Sequence, residues 1–255
     1  MSGSTTLQTI DFAVNSNQLS KQLNILLDNN RAAIEALLEQ TVYTWDNFVQ
    51  PLDNLNDKLN QFWSPVGHLN SVMNSDELRV AYNECLPLLS DYSTYLGQHQ
   101  GLFDAYQKIK QSAAYDDFGQ AQKAAIDYAL RDFTLSGVAL DDEAKSRYKA
   151  IAAKLSELTT KFEENIIDAN KAWFKHIDNA DDLKGLPEQR IIAAKEAARS
   201  KKLDNYVLTL DIPCYMDVMT FADSQALRKE VYDTYCTRAS DQGPNAGEFD
   251  NSELM

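Results

Sequence analysis

Residues 205–255 read NYVLTLDIPCYMDVMTFADSQALRKEVYDTYCTRASDQGPNAGEFDNSELM, and this stretch holds the one convincing strand of the chain. Apolar and polar positions alternate from Leu208 to Ile212, Val and Thr suit a pleated surface, and Pro213 stops the run. A helix follows, and then a turn-rich loop, Arg238-Ala239-Ser240-Asp241-Gln242-Gly243-Pro244-Asn245-Ala246-Gly247. Asp250 is a fair N-cap and Glu253 stands three positions later, where a capping-box acid reaches back. Leu254 and Met255 then open an apolar run, so the expectation is a further helix and a chain that continues past Met255. A lone strand is not stable by itself, so its partners are expected in that further part, with an apolar patch near Tyr206 to Ile212.

Upstream, the spacing is helical almost throughout. Residues 1–17 are irregular and polar, and then Leu19, Leu23, Leu26, Leu27, Ile34, Leu37 and Leu38 recur on one face across Asn29-Asn30. Thr44 is placed to cap a helix with the stripe Trp45, Phe48, Leu52, Leu55, Leu59 and Phe62, in which Pro51 either makes a kink or marks a second start. Ser64-Pro65 reads as N-cap and N1 of a shorter helix, and Ser75 opens another. Gly97 and Gly101 are candidate breaks, and a helix around Ile126, Leu130 and Phe133 is expected to end by Gly137. Asp141 or Asp142 then caps the longest run, whose face continues through Tyr148, Ile151, Leu155, Leu158, Phe162, Ile166, Ala169 and Trp173 to Ile177. A helix of that length crosses a domain or connects two.

The fold class expected is therefore mainly α, with one or two short strands near 206–212. The organisation expected is an irregular segment 1–17, a helical lobe 18–137, a long helix and its successor over 138–204, and strand, helix and loop over 205–255.

The 255 residues are 44% hydrophobic and 24% charged, ordinary for a globular protein, with a net charge of −14. That charge excludes nucleic acid and anionic membrane as general partners, because no basic field exists to displace counterions. Three cysteines without paired spacing read as reduced thiols, and no stretch resembles a signal peptide or membrane span, which points to the cytoplasm.

Chemistry-bearing motifs are few. His68, His99 and His176 lie far apart without metal-ligand spacing, and there is no Gly-x-Ser-x-Gly elbow, Walker A loop or Gly-x-Gly-x-x-Gly after a strand. The charged residues of the long helix, Arg147, Glu157, Glu163 and Glu164, suit surface pairing. Arg238, Asp241, Gln242 and Asn245 in the turn-rich loop are the best candidates for a ligand-contacting site; Gly-Pro-Asn is ordinary turn chemistry, and a purely structural loop is the favoured reading.

Several blocks resemble the thimet-oligopeptidase-type zinc metallopeptidases. They are Thr44-Trp45-Asp46-Asn47 with Gln50-Pro51-Leu52, Ser64-Pro65-Val66 with His68-Leu69-Asn70-Ser71-Val72, and Leu86-Pro87-Leu88-Leu89-Ser90. To these are added Ala129-Leu130-Arg131-Asp132-Phe133 with Leu135-Ser136-Gly137, Leu208 to Pro213, and Thr237 to Gly247. The resemblance implies a mostly helical protein of two lobes around a deep channel that admits short peptides, including signal-peptide fragments, and excludes folded proteins. It also implies zinc in the full-length protein, held by a His-Glu-x-x-His helix and a further Glu C-terminal to these residues. No zinc ligand or catalytic residue falls within this chain, which on that view supplies one channel wall, binds no zinc and is inactive without the catalytic lobe. A reading from another class is a free-standing helical module that binds peptides or proteins along a groove.

Overall fold

The computed structural model describes residues 11–244 and 246–255. The expected irregular segment 1–17 thus falls largely outside the described residues. The described residues form two compact units, which divide between Glu157 and Leu158.

The first unit is helical. It comprises α1 (Ser16–Leu38), α2 (Gln50–Val72), α3 (Asp76–Gly97), α4 (Gln100–Lys110), α5 (Gln120–Leu135) and the first half of α6 (Asp142–Ala172). Its helix starts follow from short polar side chains. Asn15 accepts from the Asn17 N–H, Ser75 accepts from Leu78 at 3.2 Å, and Asp141 accepts from Ala144 at 2.8 Å. Thr44 and Asn47 form a reciprocal capping box over one turn of π-helix, Trp45–Val49, and Pro51 then stands at the start of α2. The second-start reading of Pro51 is the one observed.

Ser64-Pro65 does not restart the chain, because α2 runs through it. A proline inside a helix removes one hydrogen bond and costs about 3 kcal/mol. Here the face that carries Val66, with Leu59, Phe62 and Leu69 beside it, packs against Leu19, Leu23, Leu27, Leu78 and Cys85, and that burial outweighs the loss. Asn30 does not interrupt α1 either: it is buried, and its Nδ2 donates to the Leu55 carbonyl at 3.4 Å. A second cluster joins Ile34, Phe48, Val49, Leu102, Tyr106, Ile109, Ile126 and Phe133, in which Phe48, Tyr106 and Phe133 meet edge-on or tilted.

The second unit contains the rest of α6, then β1 (Phe174–Ile177), α7 (Glu188–Ser200), β2 (Tyr206–Thr209), α8 (Ile212–Phe221) and α9 (Gln225–Thr237). The strand at Tyr206 has its partner within the chain: β1 and β2 pair antiparallel, with Phe174 opposite Thr209 and Ile177 opposite Tyr206. The long periodic run therefore ends at Ala172 instead of Ile177. Trp173 to Ile177 satisfies a period of two as well as 3.6 over so short a length, and pairing with β2 decides for the strand. Val207, Leu208 and Leu210 are buried, while Ile212 and, opposite Thr209 in the ladder, Phe174 are exposed. Pro213 opens α8 two residues after Asp211, whose carboxylate accepts from the Thr209 hydroxyl at 2.7 Å as the chain turns. The core of this unit is Ile177, Leu183, Leu186, Ala194, Leu208, Cys214, Val218, Leu227 and Val231.

The stripe on the first half of α6 is only partly used. Ile151 and Leu155 are 57% and 62% exposed, so helical spacing there does not translate into burial. Among the described residues, Cys85, Cys214 and Cys236 are unpaired, and no helix is long and apolar enough to cross a membrane.

Candidate functional site

The loop after α9 is built by its own backbone. Arg238 ends the helix in an extended conformation and Ala239 turns with φ +53°. The Gly247 N–H then donates to the Ser240 carbonyl at 3.1 Å, and the Asn251 N–H donates to the Ala239 carbonyl at 3.1 Å. The Ser240 hydroxyl donates to the Thr237 carbonyl and accepts from the Gln242 N–H, pinning the loop to the helix end. Gly243 has φ +82°, and a Cβ there would lie 1.9 Å from the Thr237 Oγ1, so only glycine fits. Below the loop, buried Asn165 donates to the Asn251 Oδ1 at 2.8 Å, and Asn251 donates to the Phe162 carbonyl at 3.2 Å. Two buried amides thus anchor the chain end on α6 within the same unit.

The candidate side chains of this loop do not converge. The Arg238 guanidinium lies 3.8 Å from the Tyr235 ring centre and donates to the Tyr235 carbonyl, while Tyr235 stacks on Tyr215 at 4.0 Å. Asp241 and Gln242 are exposed and hydrogen-bonded to each other at 3.0 Å. Asn245 lies outside the described residues. Among the described residues, no hydrogen bond or ion pair joins Arg238 to Asp241 or Gln242.

The first unit holds a larger feature, an open recess of about 500 Å³ lined from α1, α3, α4 and α6. Arg31 from α1 lies over the Tyr95 ring at 4.3 Å and donates to the Asp91 Oδ2 at 2.9 Å. Lys149 from α6 takes the other oxygen of Asp91, and Lys145 stands one turn before it. Lys149 first, and then Arg31, hold the Asp91 carboxyl below the usual carboxylate range. His99 caps α4: its Nδ1 accepts from the Leu102 N–H, which leaves Nε2 to donate to Glu35 at 3.2 Å. The Tyr95 hydroxyl also donates to Glu35 at 2.9 Å. The hydrogen bonds from His99 and then Tyr95 lower the Glu35 carboxyl, and burial followed by the Glu35 contact pushes Tyr95 up to about 12. The sequence carried no signal for this recess, since its groups stand at 31, 91, 95, 99, 145 and 149 with no local motif.

Neither place fits a zinc site. His68 is in α2, His99 caps α4 and His176 is in β1, where its Nε2 meets the Asp204 carbonyl at 2.8 Å. Among the described residues there is no group of three or more His, Cys, Asp or Glu side chains placed to share a metal ion.

Residues 23–145 match the family model for the Neurolysin/Thimet oligopeptidase, N-terminal domain. The chain is 53% identical to Oligopeptidase A of Haemophilus influenzae and 50% identical to Oligopeptidase A of Escherichia coli, in each case over 90% of its length and 34% of the relative's. It is 30% identical to the Probable cytosolic oligopeptidase A of Arabidopsis thaliana, over its whole length and 37% of the relative's. The chain spans about a third of the length of the curated relatives it matches. By these matches the chain belongs to the thimet oligopeptidase family and corresponds to the N-terminal portion of its oligopeptidase A members.

Proposed function

We propose that this chain is the N-terminal helical part of a cytoplasmic, zinc-dependent oligopeptidase that hydrolyses short peptides, signal-peptide fragments among them. The observation that carries the reading is 50–53% identity to bacterial oligopeptidases A across 90% of the chain. In the whole enzyme, bound zinc would polarise the scissile carbonyl and supply an activated water. Its ligands belong to a C-terminal catalytic lobe; in this chain the three histidines stand on separate elements, with His99 capping α4, His176 meeting a backbone carbonyl and His68 edge-on to Phe12.

On this reading the helical lobe 18–137 forms a wall of the peptide channel, and the segments 138–204 and 205–255 lead to the catalytic lobe. The loop carrying Arg238, Asp241, Gln242 and Asn245 faces the cleft. Exposed Asp241 and Gln242 are the side chains free to meet a peptide, while Arg238, held on Tyr235, shapes the loop. The purified 255-residue chain, supplied with zinc and a pool of short peptides, is expected to give no cleavage above a mock preparation. Zinc-dependent hydrolysis by that chain alone would sink the assignment of catalysis to another lobe.

A further inference from the structure

We propose that the recess of the first unit binds a small soluble ligand through an oxyanion group, a carboxylate or a phosphate. Three cationic side chains, Arg31, Lys145 and Lys149, line it against one carboxylate, Asp91. Asp91 is already engaged through both oxygens, Oδ2 on Arg31 and Oδ1 on Lys149, so it orients these cations without filling the space they face. Lys145 makes no ion pair among the described residues, and the chain as a whole carries −14, so this cationic surplus is local.

The donors are also held in place. The Arg31 guanidinium packs on the Tyr92–Tyr95 pair, 4.3 Å from the Tyr95 centre and 5.3 Å from the Tyr92 centre, and its hydrogen bond to Asp91 uses Nη2 alone. A planar fork with hydrogens to spare is the group that matches a carboxylate or phosphate. The recess is closed on another side by Gln100 and Gly101 at the start of α4, whose N–H groups have no intrahelical acceptor, that of Leu102 being taken by His99, and the helix dipole there favours negative charge. A volume of about 500 Å³ is that of a small-molecule site and exceeds what a bare ion fills, so the ligand has a body beyond its oxyanion. The Glu35–His99 pair at the rim is internally satisfied through Nε2 and takes no part.

The proposal concerns binding, so it is tested without turnover and stands or falls apart from the peptidase reading. The ¹⁵N-labelled chain is titrated at constant ionic strength with inorganic phosphate, with trialanine and with trialanine amide, following the Gln100 and Gly101 amides. Saturable shifts with phosphate or trialanine, and none with the amide, are expected; which of the two binds identifies the source of the oxyanion. The variant Lys145→Met/Lys149→Met should weaken that binding by at least about tenfold at unchanged melting temperature. Lys145→Met alone, which breaks no ion pair, makes the same comparison if the double variant is destabilised. Absence of saturable shifts, equal binding of the amide, or unchanged affinity in the lysine variants would overturn the proposal.

Discussion

Replacing Gly243 with alanine tests whether the loop after α9 is a fixed structure. The substitution carries two separable penalties. A non-glycine residue at φ +82° costs about 1–2 kcal/mol. The new Cβ would also stand 1.9 Å from the Thr237 Oγ1 and 2.7 Å from its Cβ, so Thr237 must rotate and give up its 2.6 Å hydrogen bond to the Asp233 carbonyl. That loss adds roughly 1 kcal/mol. Gly247 is the internal control: its φ is +81°, yet a Cβ there meets nothing within 4 Å. Gly243→Ala should therefore cost roughly 2–3 kcal/mol and Gly247→Ala about 1–2 kcal/mol. For a chain of this size that is a fall in melting temperature of roughly 5–10 °C against 2–6 °C, read by circular dichroism. The double variant Gly243→Ala/Thr237→Ala should be less destabilised than the sum of its parts, because both changes forfeit the same hydrogen bond. Equal costs at the two glycines, or strict additivity in the cycle, would refute the reasoning.

Other consequences are as definite. Asn251→Ala strips buried Asn165 of its 2.8 Å acceptor and should lower the urea midpoint by the equivalent of about 1–3 kcal/mol. Phe48→Ala empties a fully buried site in the first unit and should cost about 3–5 kcal/mol by the same measurement. Asp91 has a lowered folded-state pKa, so its contribution is present above the ordinary carboxylate range and is lost as pH falls through the lowered value. Asp91→Asn should therefore flatten the acid limb of a stability–pH profile while costing under about 1 kcal/mol at pH 7, since the pair is partly exposed. In the whole enzyme, Asp241→Ala/Gln242→Ala should raise KM for short peptides with little change in kcat if the loop meets substrate; steady-state kinetics decide it.

Much of this architecture was legible in the sequence. Thr44, Ser75 and Asp141 cap helices because short acceptors precede periodic apolar runs, and the density of Gly, Pro, Asn and Ser after Thr237 could only be a turn. What escaped depended on contacts distant in the chain. Phe174–Ile177 continues a helical stripe until β2 offers it a ladder, and α2 passes through Pro65 because the packing around Val66 outweighs one lost hydrogen bond. The recess was beyond reach for the same reason: Arg31, Asp91 and Lys149 are brought together by three helices that no local pattern relates. For the loop, the sequence named residue types suited to binding but not their geometry, in which Arg238 turns back to Tyr235 and Asp241 pairs with Gln242.

The most direct test of the family assignment and its functional consequence is an intact-mass determination on the protein from its native cells, paired with a peptide-cleavage assay with and without chelator. The account predicts a mass well above the 28.7 kDa of these 255 residues, on the scale of relatives of which they span 34%, with cleavage that chelator abolishes. A native mass of 28.7 kDa without chelator-sensitive cleavage would contradict it.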